Sequence, residues 1–420
     1  MSAEGHTEEQ QPVGDTSGFT SDEPQPRYAW VVMSNLWGMD LANLFVFMSI
    51  GVLIPIWKDD MGITPLQAGL MGSAGFLGFG IMALPASIWL TKYNPRLITL
   101  ICSLGMAGAA LLHAIAPSVE VIILARFTFV LLAVSRIQMQ IIFIQQWFKP
   151  QLYAVVNSLD FSNRSVGQTL AVAITPALVG LLGGWRAVYV VLAIALVFLS
   201  LTWSVIGRER RRSQAEGGPA PQVGSPAGVL KRHKVLWIVA GCQIGAAVTF
   251  ASLLTFYPTY AIESLDLSVT EVGLLMSFFP IGGILGSLSA GAISQRIGLR
   301  KPLIWIPGIF LPVFYFTLLQ VDIIPLAGLL LLGIGFFAMA VPPILSTIPL
   351  DMRLPPREVA VALGLLRTLF PIGATFGPLL VGAIQEGGGS LFLALSIVSP
   401  MPITLLIGGR LLPETGPKKR

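Results

Sequence analysis

Twelve apolar stretches occupy nearly the whole chain between Tyr28 and Leu412, at approximately 28–56, 66–90, 96–116, 119–147, 153–181, 185–206, 235–261, 269–292, 302–319, 324–349, 358–384 and 390–411. Each is close to the ~20 residues that a helix needs to cross a bilayer. The hydrocarbon core holds no water to satisfy backbone N–H and C=O groups, so a spanning segment must close its own hydrogen bonds as a helix or within a barrel. Stretches of this length predict helices. The composition agrees: 54% of residues are hydrophobic and 11% charged, against about 25% charged in a soluble domain. The expected fold class is an all-α polytopic membrane protein.

The second half of the chain repeats the layout of the first. Residues 69–96, GLMGSAGFLGFGIMALPASIWLTKYNPR, return in altered form at 273–300, GLLMSFFPIGGILGSLSAGAISQRIGLR. The offset of 204 aligns Gly69 with Gly273, Leu84 with Leu288, Ala86 with Ala290 and Arg96 with Arg300. Internal repeats of membrane-length units are the mark of transporters built from two bundles that rock about a site near the midplane. Twelve helices therefore divide into two six-helix pseudo-symmetric bundles, 28–206 and 235–412. Between them, 207–234 is Gly/Pro/Ser-rich in the middle and basic at both ends, as a flexible linker should be. Residues 1–27 are polar and acidic and read as a disordered cytoplasmic tail, with 413–420 as a second tail.

Of the 26 Lys and Arg residues, 20 fall in tails and loops on the side of the N-terminus, while Lys58 and Arg186 lie in loops on the other. Basic residues collect on the cytoplasmic side. Both termini are thus expected in the cytoplasm of a multi-pass protein, with the cell membrane as the expected location. The basic runs flank membrane helices, which argues against nucleic acid as a partner. Cys102 and Cys242 fall inside apolar helices and read as buried thiols. No cluster with metal-ligand spacing, nucleophile triad or nucleotide loop is legible, so no metal, cofactor or enzymatic activity is expected.

Several motifs, in order, resemble the major facilitator superfamily over residues 28–415. GAISQRIGLRK at 291–301 is similar to the family's turn between the second and third helices of each bundle. Arg296, Gly298, Arg300 and Lys301 match, and Gln295 stands where the usual Asp would be. In the first-half copy Lys92 and Arg96 keep the charge, and Thr91 replaces the acid. LARF at 124–127, WFKPQLYAVVNSL at 147–159, GWRAVY at 184–189 and GATFGPLLVG at 373–382 are further resemblances. The resemblance implies a gating role for Lys92, Arg96, Arg296, Gly298 and Arg300, and a structural or proton-relay role for Arg126.

Charge within the spans carries the chemistry, because one ionised side chain at the bilayer centre costs at least about 2.5–3.5 kcal/mol. Arg126, Arg136, Arg164 and Arg367 stand against Asp40 and Asp160, a net positive set that points to an anion. On helix 5, Asn157, Asp160, Arg164 and Gln168 share one face. Arg164 lies 12 residues before Pro176 and Arg367 lies 11 before Pro378, which places the two at matching depths as a clamp. An i,i+4 pair of Asp160 with Arg164 is the competing reading. Arg136, with Gln140 one turn on, Asn157, Gln243 and Tyr257 are further candidates for substrate contact. Asp40 and Asp160 are candidates for proton coupling or for neutralising an arginine. Pro342-Pro343 is expected to break helix 10, and His113 reads as a surface residue.

These features predict a secondary active transporter for a small anionic or zwitterionic solute, coupled to protons or working by exchange, as a monomer in the lipid bilayer. One alternative is a proton-coupled exporter of lipophilic cations that uses Asp40. Another is a non-transporting sensor on the same fold.

Overall fold

The computed structural model describes residues 25–89, 93–149, 152–210, 226–352, 354 and 356–416. Among them every regular element is a helix. In the first half, α1 (Tyr28–Met48) continues through Ser49 into α2 (Ile50–Met61), followed by α3 (Pro65–Trp89), α4 (Pro95–Ala114), α5 (Val119–Trp147), α6 (Tyr153–Leu182) and α7 (Trp185–Ile206). A short helix, α8 (Pro226–Arg232), precedes the second half. There α9 (Val235–Gly241) and α10 (Ile244–Leu265) form one span, and α11 (Val269–Met276) and α12 (Phe278–Ile297) the next. Helices α13 (Pro302–Trp305) and α14 (Pro307–Leu318) form the third, then come α15 (Ile324–Asp351) and α16 (Pro356–Glu386). The final span is α17 (Leu391–Val398) with α18 (Ile403–Leu411). Eleven spans are long and apolar enough to cross a membrane, and the twelfth, Pro302–Leu318, is shorter.

Twelve crossings bring the start of α1, the end of α7, the start of α9 and the end of α18 to one face, termed here the terminal face. Within the first bundle α4 packs on α5 and α7, α1 on α6 and α7, and α3 on α5. Within the second, α12 packs on α15, α10 on α16, and α14 on α15 and α18. Small residues permit this in lipid, where van der Waals contact replaces the hydrophobic effect between helices. A Cβ on Gly282 or Gly286 would collide with the Leu332 or Phe336 carbonyl of α15.

The bundles meet through α3 with α16, α2 with α10, and α6 with α11. The aligned glycines of the repeat sit at two of these junctions. A Cβ on Gly69 would lie 2.5 Å from the Pro378 carbonyl oxygen, and one on Gly273 would lie 2.8 Å from the Val172 oxygen and 2.9 Å from Pro176. Each glycine thus seats against the helix that carries the matching proline of the other bundle. Gly51 closes on the Leu254 carbonyl in the same way. All these residues lie in the halves of their helices distal to the termini. There Lys58 donates to Glu263 across the bundles at 2.8 Å, and the Leu66 N–H donates to Glu386 at 3.3 Å. Near the terminal face, by contrast, the apolar cluster of Ala29, Met33, Phe143, Phe148 and Trp203 stays within the first bundle. The inter-bundle contacts named here thus lie in the distal halves, which points to a cleft between the bundles on the side of the terminal face.

Two expectations are corrected. Pro342 and Pro343 do not break the tenth span: α15 runs unbroken from Ile324 to Asp351 around them. Each proline removes one backbone hydrogen bond, and the remaining bonds hold because lipid offers no other partner. His113 is fully buried, with Nδ1 2.8 Å from the Ala109 carbonyl and its ring stacked on Tyr189 at 4.7 Å. Position in the last turn of α4 does not imply exposure when α7 covers that turn.

A valine at Gly273 should wedge α11 from α6 and weaken the closed end. Cysteines introduced at Lys58 and Glu263 report this, since the native Cys102 and Cys242 are buried. A short bifunctional thiol reagent should cross-link the pair in the parent, and the yield should fall severalfold with Gly273→Val.

Candidate functional site

Three helices of the first bundle bring five side chains into a closed ring. Asp40 projects from α1. Arg136 and Gln140 stand one turn apart on α5, and Asp160 and Arg164 one turn apart on α6. The Arg136 guanidinium donates through Nη2 to Asp40 Oδ1 in a very short contact, and through Nη1 to Gln140 Oε1 at 3.1 Å. The Gln140 amide donates to Asp160 Oδ1 at 2.5 Å, and Arg164 Nε donates to Asp160 Oδ2 at 3.0 Å. Arg164 Nη2 returns to Asp40 Oδ2 at 3.9 Å and closes the ring. Trp37 Nε1 also donates to Asp160 at 3.1 Å, and Asn163 ties the Trp37 carbonyl at 3.2 Å.

Two guanidiniums and two carboxylates cancel, so the ring carries no net charge, and the positive balance of the in-span charges rests on Arg126 and Arg367. Burial is graded across it. Arg136 and Asp40 have side-chain exposures of 0% and 2%, while Asp160 reaches 17% and Arg164 32%. Arg136 has its carboxylate already, as does Arg164, but only the Arg164 side chain reaches the cleft. Both readings of Asp160 with Arg164 hold together, since the i,i+4 pair forms within a ring that faces the cleft.

The remaining in-span arginines differ. Arg126 is buried and donates to the Val46 and Phe47 carbonyls at 2.9 Å each, with its guanidinium 5.4 Å from the Phe47 ring. Those carbonyls belong to the last turn of α1, where a helix's final C=O groups can accept from a side chain. Arg367 on α16 is exposed and has no hydrogen bond or ion pair among the described residues.

Phenylalanines join these charges across the bundle interface. Phe47 packs on Phe76 at 5.3 Å, and Phe76 on Phe250 at 6.1 Å. Phe250 in turn meets Phe279 at 5.6 Å and Phe370 at 5.8 Å. Gln168, one turn beyond Arg164, lines a small apolar pocket with Met48, Phe250, Leu254 and Phe279. Phe370 lies three residues beyond Arg367. Helices α6 and α16 both run away from the terminal face. Arg164 and Arg367 therefore stand about one turn above the floor that Phe250 makes, on its two sides.

The other candidates disperse. Gln243 donates to the Leu366 carbonyl at 2.8 Å, while Tyr257 is buried with an unpaired hydroxyl. Fourteen residues separate them, roughly 20 Å of helix, too far for both to touch one small solute. Asn157 is exposed on α6 toward the terminal face.

In the gating motifs, Lys92 lies outside the described residues. Arg96 donates to the Ser204 carbonyl at 2.6 Å. Arg296 is exposed. Gly298 ends α12 in the left-handed region with φ 71°, where a side chain would be strained. Arg300 donates to Asp351 at 3.0 Å and also contacts the Ser294 hydroxyl. The acid missing at Gln295 is thus supplied by the end of α15. Glu414 accepts from the Arg300 N–H at 2.7 Å and the Lys301 N–H at 3.2 Å. Burial pushes the Glu414 carboxyl up, but the N–H groups of Arg300, Gly416, Lys301 and Thr415 outweigh it and hold it below its ordinary 4.5. Sequence reading passed over Asp351, Glu414 and the phenylalanines. A carboxylate at a helix end and an aromatic ring in a membrane span are too common to mark a partner.

Asp40→Asn should strand the Arg136 charge and lower stability by about 3–5 kcal/mol, read as thermal unfolding in detergent. Combining it with Arg136→Gln should recover most of that loss. For Glu414, a depressed pKa contributes stability that is present above the ordinary 4.5 and lost as pH falls below it. Hydrogen exchange at the Arg300 and Lys301 amides should accelerate below that pH, and Glu414→Gln should remove the pH dependence.

The sequence model of the Major Facilitator Superfamily matches residues 36–378. Among curated proteins, the chain is 21% identical to a probable sulfoacetate transporter, SauU, of Cupriavidus necator, over 81% of this chain and 84% of that one. It is 26% identical to a probable nitrate/nitrite antiporter, NarK1, of Thermus thermophilus, over 66% of this chain and 64% of that one. Its fold is similar to the crystal structure of a bacterial homologue of the human lysosomal transporter Spinster in an inward-facing, unoccupied conformation. The TM-score is 0.76 at 17% identity, over 93% of this chain and 95% of that one. With twelve spans in two bundles and a match over most of its length, the chain belongs to the Major Facilitator Superfamily, as a multi-pass membrane transporter and not an enzyme.

Proposed function

We propose that the protein is a secondary active transporter of a small anion, moved by alternating access between the two bundles, with Arg164 and Arg367 as the substrate clamp. One observation carries this reading: Arg164 and Arg367, one from each bundle, each lie about one turn before a residue that meets Phe250, namely Gln168 and Phe370. Arg164 presents a third of its side chain to the cleft, and Arg367 has no partner among the described residues. An anion that enters from the terminal face meets both before it meets the floor. Planar forked guanidiniums suit carboxylate, sulfonate or nitrate oxygens. The names of the two relatives, for sulfoacetate and for nitrate/nitrite, agree in charge.

Asp160 gives the site its exchange chemistry. When an anion takes Arg164, Asp160 keeps two donors, Trp37 and Gln140, so it is not left bare. Asp40 remains tied to Arg136 and holds α1 to α5. Asp160, the more exposed carboxylate, is the one more accessible to solvent for coupled transport. Import of a monovalent anion against an inside-negative potential costs about 2.3 kcal/mol per 100 mV, which a proton or a counter-anion would offset. A zwitterion fits the same pair, with its carboxylate on Arg164 and its amine on Asp160. Pairing of Asp40 with Arg136 disfavours the exporter of lipophilic cations, because no free buried carboxylate remains there. On this reading, which the basic bias supports, the terminal face, the tails and the 207–234 linker lie in the cytoplasm, the protein lies in the cell membrane, and the cleft opens inward.

Thermal unfolding of the purified protein across mono- and dicarboxylates, sulfonates, nitrate, dipeptides and lipophilic cations tests this. One anion class at 100 times its Kd should add about 2.7 kcal/mol of apparent stability, lost in both Arg164→Ala and Arg367→Ala. Stabilisation by cations that survives both variants would overturn the anion reading.

A further inference from the structure

Glycines press against carbonyl oxygens at many places in this protein, and two that do so between the bundles differ from those within them. A Cβ on Gly282, Gly286 or Gly335 would stand 1.9, 2.0 or 1.9 Å from the oxygen of Leu332, Phe336 or Phe279. Those oxygens lie in helix interiors, and the residue four places on, Phe336, Ala340 or Gly283, has an N–H to donate to them. At the two junctions across the interface, the residue four places on is a proline. A Cβ on Gly51 of α2 would stand 2.0 Å from the Leu254 oxygen, and Leu254 is four before Pro258. One on Gly273 of α11 would stand 2.8 Å from the Val172 oxygen, and Val172 is four before Pro176. Neither proline has an N–H to return, yet α10 and α6 run unbroken through them. The hydrogen that each glycine carries in place of a Cβ therefore faces the oxygen.

Resting on the alternating access proposed above and not on the anion, we infer that Pro258 and Pro176 set the conformational balance of the distal seal. They leave two main-chain acceptors there without N–H partners, and so bias the seal toward opening. While the end is closed, each oxygen is shut away against a glycine, and a Cα–H is a weaker partner than an N–H. An acceptor buried without a full partner costs free energy. Opening parts α2 from α10 and α11 from α6, and water can then donate to both oxygens. Glycine–carbonyl contacts inside the bundles gain nothing in that motion, because their oxygens have N–H partners already. The seal is thus tight in shape and weak in polar bonding, which suits a gate that must reopen in every cycle.

Thr255, buried against Gly72 on the distal side of Phe250, can report the opening. Cys102 and Cys242 are buried, so in the full-length Thr255→Cys protein the rate of maleimide labelling follows the open fraction. Pro258→Ala and Pro176→Ala each return an N–H to the freed oxygen. Each should slow labelling about fivefold, the worth of one net hydrogen bond, and together their effects should multiply. Hydrogen exchange should show the amides introduced at 258 and 176 to be protected. Pro312→Ala, on α14 away from the bundle interface, should leave labelling unchanged, and Gly51→Ala should speed it by crowding the Leu254 oxygen. Labelling unchanged or faster in both proline variants, with their new amides protected, would overturn the inference. Equal slowing in Pro312→Ala would assign the effect to helix stiffness and overturn it as well. No labelling in the parent or in any variant would overturn alternating access at this end, and the inference with it.

Discussion

Asp40 is a carboxylate in the membrane interior at 1% exposure, and it is bearable only because two guanidiniums reach it from two other helices. An unpaired charge there would cost several kcal/mol. Arg136 meets one oxygen and Arg164 approaches the other, so a single side chain of α1 fixes the relative depth of α5 and α6. Gln140 then closes the circuit to Asp160, and Trp37 braces it from α1. The geometry of the cleft wall follows. Arg164 is held by its Nε, which donates to Asp160 at 3.0 Å, with Nη2 drawn to within 3.9 Å of Asp40. A flexible arginine would lose rotameric freedom on binding an anion. This one has lost much of it already.

The two ends of the molecule are built on different physics. At the closed end, glycines allow one backbone to lie against another across the bundle interface, and the fit at Gly69, Gly273 and Gly51 leaves no room for a Cβ. Such contacts are numerous, small and shape-dependent. Toward the terminal face the latches are ionic: Arg300 with Asp351, Arg232 and His233 with Glu358. Rocking that opens the closed end would separate glycine–carbonyl packing and the exposed Lys58–Glu263 pair, whose loss costs little in water. In such a motion the ring and the terminal-face latches would travel with their own bundles. Phe250, in contact with Phe76 on one bundle and with Phe279 and Phe370 on the other, lies where the two motions meet.

The charged positions were legible because each is an exception. An arginine within a span has to be explained, and the four-residue spacing of Asp160 and Arg164 already put them on one helix face. The depth match of Arg164 and Arg367 could be read from Pro176 and Pro378, since the repeat makes those prolines landmarks. The identity of each partner could not be read. Arg136 and Asp40 are 96 residues apart, and nothing in either neighbourhood says whether a buried arginine will find an aspartate, as this one does, or two helix-end carbonyls, as Arg126 does. Gln140 was legible as polar and not as the bridge it is. The phenylalanine floor left no trace, because an aromatic residue in a span is as common on the lipid side as inside.

By itself the sequence determined the number of spans, their pairing into two repeats and the family, because lipid forces each apolar stretch to satisfy its backbone as a helix and a repeat copies that solution. It also determined which side chains are too costly to face lipid. Only the tertiary structure decided where those charges go. Helix packing brings Asp40 between two arginines, neutralises the ring they form with Asp160, and leaves Arg367 and the exposed part of Arg164 with spare capacity. That outcome depends on distances between helices remote in sequence, and charge pairing in a low-dielectric interior is decided by distance.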